Sequence, residues 1–227
     1  MNPEKIIISL GGSLIVPDEI DVNFLKDFKD LILKNVASGK QFVIITGGGK
    51  ICRKYQEATK QVATINDDEL DWLGIYSTRF NAEFIRLLFG EYANQDIIVD
   101  PMLPISFVRP LVLGGGWKPG NSTDFVAVSI AQNIGAKKII NLSNTDYVYD
   151  SDPRTNPEAK KIEKISWAEY RKLIPAEWNP GLNSPFDPIA SVVAEKEGIT
   201  VVTMNGRMMD NLANCLEGKD FLGTTIY

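Results

Sequence analysis

The sequence predicts an α/β fold, a mainly parallel sheet covered by helices on both faces. Two observations carry this. Short apolar runs alternate along the chain with segments of helical period, and three runs, over 6–10, 42–46 and 111–113, end directly in glycine turns at Gly11-Gly12-Ser13, Gly47-Gly48-Gly49-Lys50 and Gly114-Gly115-Gly116. Strand, glycine turn and helix bring bare N–H groups and a helix N-terminus up to a phosphate with no Cβ in the way. One such turn is more often a tight connection. Three of them, each at a strand's carboxyl end where open α/β sheets bind ligands, favour a functional reading with more than one phosphate to hold.

After the first strand, Asp21 is placed to cap a helix to about Ser38, with Val22, Leu25, Phe28, Leu31 and Ile32 along one side. The second strand enters the Gly47 turn, and 50–63 and 68–91 read as helices, the second with Leu70, Leu73, Ser77, Phe80, Phe84, Leu87 and Leu88 at helical spacing. Residues 97–99 read as a short buried strand, and Pro101, Pro104 and Pro110 keep helix out of the segment up to 110. Beyond the third turn, Thr123 or Asp124 starts a helix to Ile134, Gly135 closes it, and 138–142 form the next strand. A polar stretch with Pro153 and Pro157 leads to a short helix near 167–173 and a Pro/Gly/Asn-rich loop over 175–185. The remainder reads as a helix from Pro188, a strand over 200–204, a helix over 209–216 and a terminal strand around 224–226. No internal repeat and no low-complexity linker is visible.

The 227 residues fit one large α/β domain or two tightly joined lobes, and 44% hydrophobic content is ample for a buried core. A net charge of −5, from 24 basic and 29 acidic residues intermixed, gives no basic stripe for nucleic acid and no polybasic membrane anchor. No signal peptide is visible, and no apolar run approaches the roughly 18–20 residues of a membrane span, so a cytoplasmic protein is expected. Cys52 and Cys215 lack metal-ligand spacing and read as packing residues. The absence of histidine excludes His triads, His metal sites and His general bases.

The glycine turns match neither Gly-x-x-x-x-Gly-Lys-Ser/Thr nor Gly-x-Gly-x-x-Gly, which disfavours the common nucleotide folds. The remaining polar groups, Lys, Arg, Asp, Ser/Thr and backbone amides, suit phosphoryl transfer by positioning and charge stabilisation. Lys50 and Arg53 open a helix and can reach a phosphate there, or stand as solvated charges. Ser122-Thr123-Asp124 can cradle an anion as well as cap a helix. The acidic and aromatic run 144–153 lacks the glycine and terminal glutamate of a calcium loop and reads better as a nucleotide-facing loop. Asp187, between Phe186 and Pro188, stands at a helix start.

The ordered set Ser9-Leu10-Gly11-Gly12-Ser13-Leu14, Gly47 to Lys50 with Arg53-Lys54-Tyr55, Gly120-Asn121-Ser122-Thr123-Asp124, Asn144 to Pro153, Phe186-Asp187-Pro188-Ile189-Ala190 and Gly223-Thr224-Thr225-Ile226 resembles the amino acid kinase superfamily. Within it the chain is most similar to archaeal-type uridylate (UMP) kinases, essentially end to end. The resemblance implies one domain over 1–227, a three-layer α/β/α sandwich with a mostly parallel sheet, with about 1–135 holding the acceptor and 136–227 holding MgATP. It implies that Gly12 and Ser13 meet the transferred phosphoryl group and, with Gly49 and Arg53, the ATP phosphates, while Gly48 meets the UMP phosphate. Asp71 matches the position that binds the acceptor's ribose, and Trp117, Lys118, Pro119, Gly120, Asn121, Ser122 and Thr123 match the UMP-binding loop. Ser143, Asn144, Tyr149 and Asp152 match the adenosine side, and Asp187 matches an acid that orients the catalytic cation.

Ser9 stands where many members carry a catalytic lysine, as archaeal-type uridylate kinases also lack it, which makes Lys50 the candidate for that charge. Trp117-Lys118 and Asn121-Ser122 replace the usual Thr-x and His-Thr of the acceptor loop, and Tyr147 replaces the glycine of Asp-Gly-Val-Tyr. The implied activity is direct in-line transfer from ATP to UMP, giving UDP, with Mg2+ bound on the nucleotide phosphates. The implied assembly is a homo-oligomer, up to a hexamer, built through the long 68–91 helix. The alternatives are another small phosphorylated or carboxylate acceptor, or a non-catalytic nucleotide- or oxyanion-binding relative. Missing histidine counts against isopentenyl phosphate kinases, and the missing first-motif lysine against acetylglutamate and aspartate kinases.

Overall fold

The near-continuous apolar character of the first strand has a direct cause in the computed structural model, which describes residues 3–176 and 184–227. In β1 (Lys5–Leu10), Ile6, Ile8 and Leu10 face one apolar cluster and Ile7 the other, and the one buried polar residue of the strand, Ser9, follows Ile7 on that second face near the strand's carboxyl end. The chain continues through α1 (Gly12–Ile15), α2 (Val22–Ala37), β2 (Gln41–Thr46), α3 (Gly49–Val62) and α4 (Asp67–Phe89). There follow β3 (Leu111–Gly114), α5 (Thr123–Ile134), β4 (Lys138–Ser143), β5 (Val148–Tyr149), β6 (Lys161–Ile162), β7 (Lys164–Ile165) and α6 (Trp167–Tyr170). The last elements are α7 (Pro188–Lys196), β8 (Thr200–Asn205), α8 (Met209–Leu216) and β9 (Thr224–Ile226).

The main sheet has the order β3-β2-β1-β4-β8-β9-β7, and every pairing is parallel except the antiparallel β8–β9. Phe24 and Phe28 of α2 and Leu212 of α8 pack on one face. Val126 and Ile130 of α5, Ala190 of α7 and the pair Trp167 and Tyr170 pack on the other. The result is the three-layer sandwich that the sequence predicts. Among the described residues no helix is long and apolar enough to cross a membrane.

The helix ends follow their side chains. Asp21 accepts the Phe24 N–H at 3.1 Å, Ser122 accepts that of Phe125 at 3.1 Å, and Gly135 closes α5 at φ 71°. Asn66 and Glu69 form a capping box at the start of α4. Three expectations change. Residues 97–99 form no strand: Ile98 makes one bridge to Gly114 and the chain turns away toward Pro101. The short helix near 167–173 ends at Tyr170, and the residues after it form turns. The polar stretch after β4 holds a small antiparallel pair, β5–β6. Of the loop expected over 175–185, residues 177–183 lie outside the described residues.

Candidate active site

Because β1, β2, β4 and β8 run parallel, their carboxyl ends meet on one side, and the first two glycine turns lock together there. Gly47 N–H donates to Leu10 O at 2.9 Å, and Gly11 N–H to Leu142 O at 3.0 Å. A Cβ on Gly12 would sit 2.1 Å from Gly49 N and 2.5 Å from Gly47 O, so the two backbones approach more closely than any side chain permits. Gly49 also has φ 71°, the left-handed region that favours glycine. Asn81 of α4 steadies the turn by donating to Gly47 O at 2.7 Å. Where α2, α4, α5, α6 and α7 each have a side-chain N-cap, α1 and α3 begin at Gly11 and Gly48 with none. Leu14 N–H turns back to Gly11 O at 2.9 Å, and the N–H groups of Gly12, Ser13 and Gly49, which no side chain caps, are suited to an anion.

The third glycine turn serves packing, which corrects its reading as a further phosphate cradle. A Cβ on Gly115 would lie 2.8 Å from Arg79 N, and one on Gly116 3.1 Å from Thr78 Oγ1. Gly116 N–H is already donated to Thr78 Oγ1 at 2.6 Å. These glycines let β3's end press against α4.

At the centre, two acids from different helices come together. Asp124, in the first turn of α5, accepts the Asp187 N–H at 3.1 Å and the Ser9 hydroxyl at 3.4 Å. Asp187 is buried and caps α7 through Ala190 N–H at 2.6 Å. Burial, and then the Asp187 charge, push Asp124 up to about 7 against the opposing pull of those two donors. Beneath them the Tyr170 hydroxyl donates to Phe186 O at 2.7 Å, and burial, with the Asp124 charge, keeps it protonated to higher pH than an ordinary phenol. Two acids held close by the Asp187 N–H bond to Asp124, the charge of one felt by the other, form a place for positive charge.

Cations follow two of these strands, after β2 and after β8. Lys50, at the start of α3, is held by Asp18 at 2.9 Å, an exposed pair that lowers the Asp18 carboxyl. Arg53 is exposed one turn further on. Arg207 comes after β8 and reaches Asp21 at 2.7 Å, and that bond together with the Phe24 N–H lowers the Asp21 carboxyl. Sequence reasoning misses Arg207, although strand, Gly206 and cation repeat the pattern of Gly49-Lys50.

The 117–123 loop is gripped by α4. Asp71, its carboxyl raised by burial, accepts the Gly120 N–H at 2.7 Å. Arg79 donates to Gly116 O at 3.0 Å, Trp117 O at 2.7 Å and Val99 O at 3.2 Å. Trp117 packs against the core cluster of α5 and carries the Lys118 ammonium 3.9 Å from its ring centroid. Asn121 Nδ2 donates to Pro119 O at 3.1 Å, and Ser122 spends its hydroxyl oxygen on the α5 cap. Nothing local in the sequence marks Arg79, because its partners are carbonyls brought near only by the fold.

Past β4, Ser143 Oγ accepts the Thr145 N–H at 3.1 Å, and Asn205 at the end of β8 donates to Asp146 at 2.8 Å. Asn144 lies exposed between them. Tyr149 is half-buried and meets buried Tyr147 edge-on at 6.4 Å, while the Lys161 ammonium lies 4.9 Å from the Tyr147 ring. Tyr147 therefore fills the space a glycine would leave open. Asp152 is taken up by Arg154, whose fork holds its carboxyl down at about 2. Among the described residues no cluster of three or more His, Cys, Asp or Glu side chains is arranged to hold a metal.

The model of the amino acid kinase family matches residues 4–205. A uridylate kinase of Pyrococcus abyssi is 32% identical over 225 residues, covering 98% of this chain and 99% of that one. A uridylate kinase of Thermoplasma volcanium is 33% identical over 225 residues, with 98% and 97% covered. The crystal structure of a uridylate kinase from Archaeoglobus fulgidus superposes with a TM-score of 0.83 at 29% identity, covering 98% of this chain and 100% of that one. A UMP kinase structure from Bacillus anthracis shares the fold, with a TM-score of 0.77 at 20% identity and 99% and 96% covered.

Proposed function

The chain belongs to the amino acid kinase family, and from that membership we propose that it transfers the γ-phosphoryl group of ATP to UMP, giving UDP. It is a nucleoside monophosphate kinase, in keeping with its full-length likeness to uridylate kinases. The observation that carries the reading is the interlocked pair Gly12 and Gly49, with two uncapped helix N-termini beside it at the strands' carboxyl ends.

Gly12, Ser13 and Gly49 give amides to the ATP phosphates, and Gly48 to the UMP phosphate. Lys50 leaves Asp18 for the phosphoryl group in flight, with Arg53 and Arg207 as flanking cations. The UMP ribose lies toward Asp71, within the loop from Trp117 to Thr123. ATP lies across Ser143, Asn144 and Asp152, its adenine beside Tyr149. The carboxylate oxygens of Asp124 and Asp187 suit a hard cation, so Mg2+ on the ATP phosphates fits this donor set, where it would neutralise charge on the transferring group. Asp187 orients that cationic centre through its fixed place at the α7 start. The attacking UMP phosphate oxygen carries no proton to remove, so no general base is needed. Catalysis rests on positioning and charge.

A homo-oligomer, up to a hexamer, built through α4 fits the exposed Tyr76, Phe80 and Leu87 on that helix. A cytoplasmic setting fits the substrates. The test is ADP release with MgATP across UMP, CMP, AMP, isopentenyl phosphate and carboxylate acceptors. The highest kcat/KM is expected with UMP. Turnover of another acceptor alone would reassign the substrate, and turnover of none would leave a binding protein.

A further inference from the structure

Arg79 belongs to no glycine turn, yet it donates to three carbonyls in and beside the acceptor loop. Its Nε donates to Gly116 O at 3.0 Å, and one Nη donates both to Trp117 O at 2.7 Å and to Val99 O at 3.2 Å. These carbonyls lie on both sides of β3, so one rigid fork ties two loop segments to α4. Trp72, two turns back along α4, lies 5.8 Å from the guanidinium carbon and steadies it. Next to Trp72, Asp71 accepts the Gly120 N–H at 2.7 Å. The helix thus grips the loop at its start through carbonyl oxygens and near its end through an amide. Asp71 has a place in substrate binding, whereas Arg79 has none.

We propose that Arg79 is a positioning residue that holds the 116–120 loop in the form that accepts the acceptor nucleotide. The inference rests on UMP being that acceptor. Without Arg79 the freed carbonyls find water, so the loop loses order while the fold persists. Only a fraction of molecules then holds the competent loop, and the apparent affinity falls by that fraction. Saturating UMP restores the competent form, and the ATP side is untouched.

The experiment compares wild type, Arg79→Ala and Arg79→Lys by steady-state kinetics and by hydrogen exchange of the loop amides. Expected for Arg79→Ala is a KM for UMP raised about tenfold or more, with kcat and the KM for ATP within about twofold. Amides of Trp117, Lys118, Gly120 and Asn121 should exchange faster, and Arg79→Lys, a point charge in place of a fork, should fall between. A fall in kcat at unchanged KM, a parallel rise of both KM values, or unchanged loop exchange would overturn the proposal. Wild-type enzyme that turns over no UMP would overturn the substrate reading instead. The exchange comparison then decides the loop's positioning by itself.

Discussion

The Asp124 carboxylate and the Asp187 backbone are joined by one hydrogen bond of 3.1 Å that links the first turn of α5 to the N-cap of α7. The two acids are thereby held together at the sheet's carboxyl edge, where the Asp187 charge adds to burial in raising Asp124 to about 7 from an ordinary 3.8. Between those values the folded chain holds a proton that the unfolded chain has released. The resulting penalty is absent below the unfolded value, grows as pH rises through the window, and is complete above about 7. Asp124→Asn removes it. Urea unfolding should therefore show the variant gaining stability relative to wild type between pH 4 and pH 8, in the direction set by this shift. A difference that does not vary with pH would contradict the assignment.

Gly12→Ala should fail at both levels. The new Cβ would lie 2.1 Å from Gly49 N, a backbone atom that no side-chain rotation can clear. Overpacking of this kind costs roughly 1–3 kcal/mol of stability. The parting of the two turns should also raise the KM for ATP and cut kcat by about 10²-fold, as for loss of preorganised donors. Chemical denaturation and steady-state kinetics on the same preparation check it. Near-normal ATP kinetics would mean that the turns hold structure alone.

Lys50→Ala should lower kcat by roughly 10²–10³ with little change in stability, since its ion pair with Asp18 is exposed. Asp18→Ala should keep or modestly raise turnover, because it frees the ammonium. If Lys50→Ala retains near-normal kcat while Arg207→Ala does not, the cation for the phosphoryl group lies after β8 rather than after β2.

Tyr149→Ala should raise the KM for ATP while leaving that for UMP near wild type. Stacking of a base on an aromatic ring contributes about 1–3 kcal/mol, so a rise of roughly tenfold is expected. An unchanged KM for ATP, checked also by calorimetry of ATP binding, would place adenine elsewhere, for instance against Tyr147.

Much of the fold was legible because it rests on local chemistry. Asp21, Gly135 and Asp187 mark helix ends by their own side chains or lack of one, and the strands in the middle of the sheet are apolar on both faces. Elements of two residues, such as β5 to β7, have no period to read. The segment 97–99 has a strand's composition, yet it pairs at a single residue before the chain turns toward Pro101. At the site, glycines announced close approach but not to what. Gly12 meets another turn, and Gly115 meets a helix. Arg79 and Arg207 act on partners remote in sequence, so their roles emerge only from the folded chain.

The central claim, direct phosphoryl transfer to UMP at the paired glycine turns, is tested most directly by tracing the label from γ-labelled ATP. With MgATP and UMP, label should appear in UDP at the rate ADP forms, with none on the protein, and Gly12→Ala should slow its appearance about 10²-fold. Label retained on the protein, label released only as inorganic phosphate, or UDP formation that survives Gly12→Ala unchanged would contradict the account.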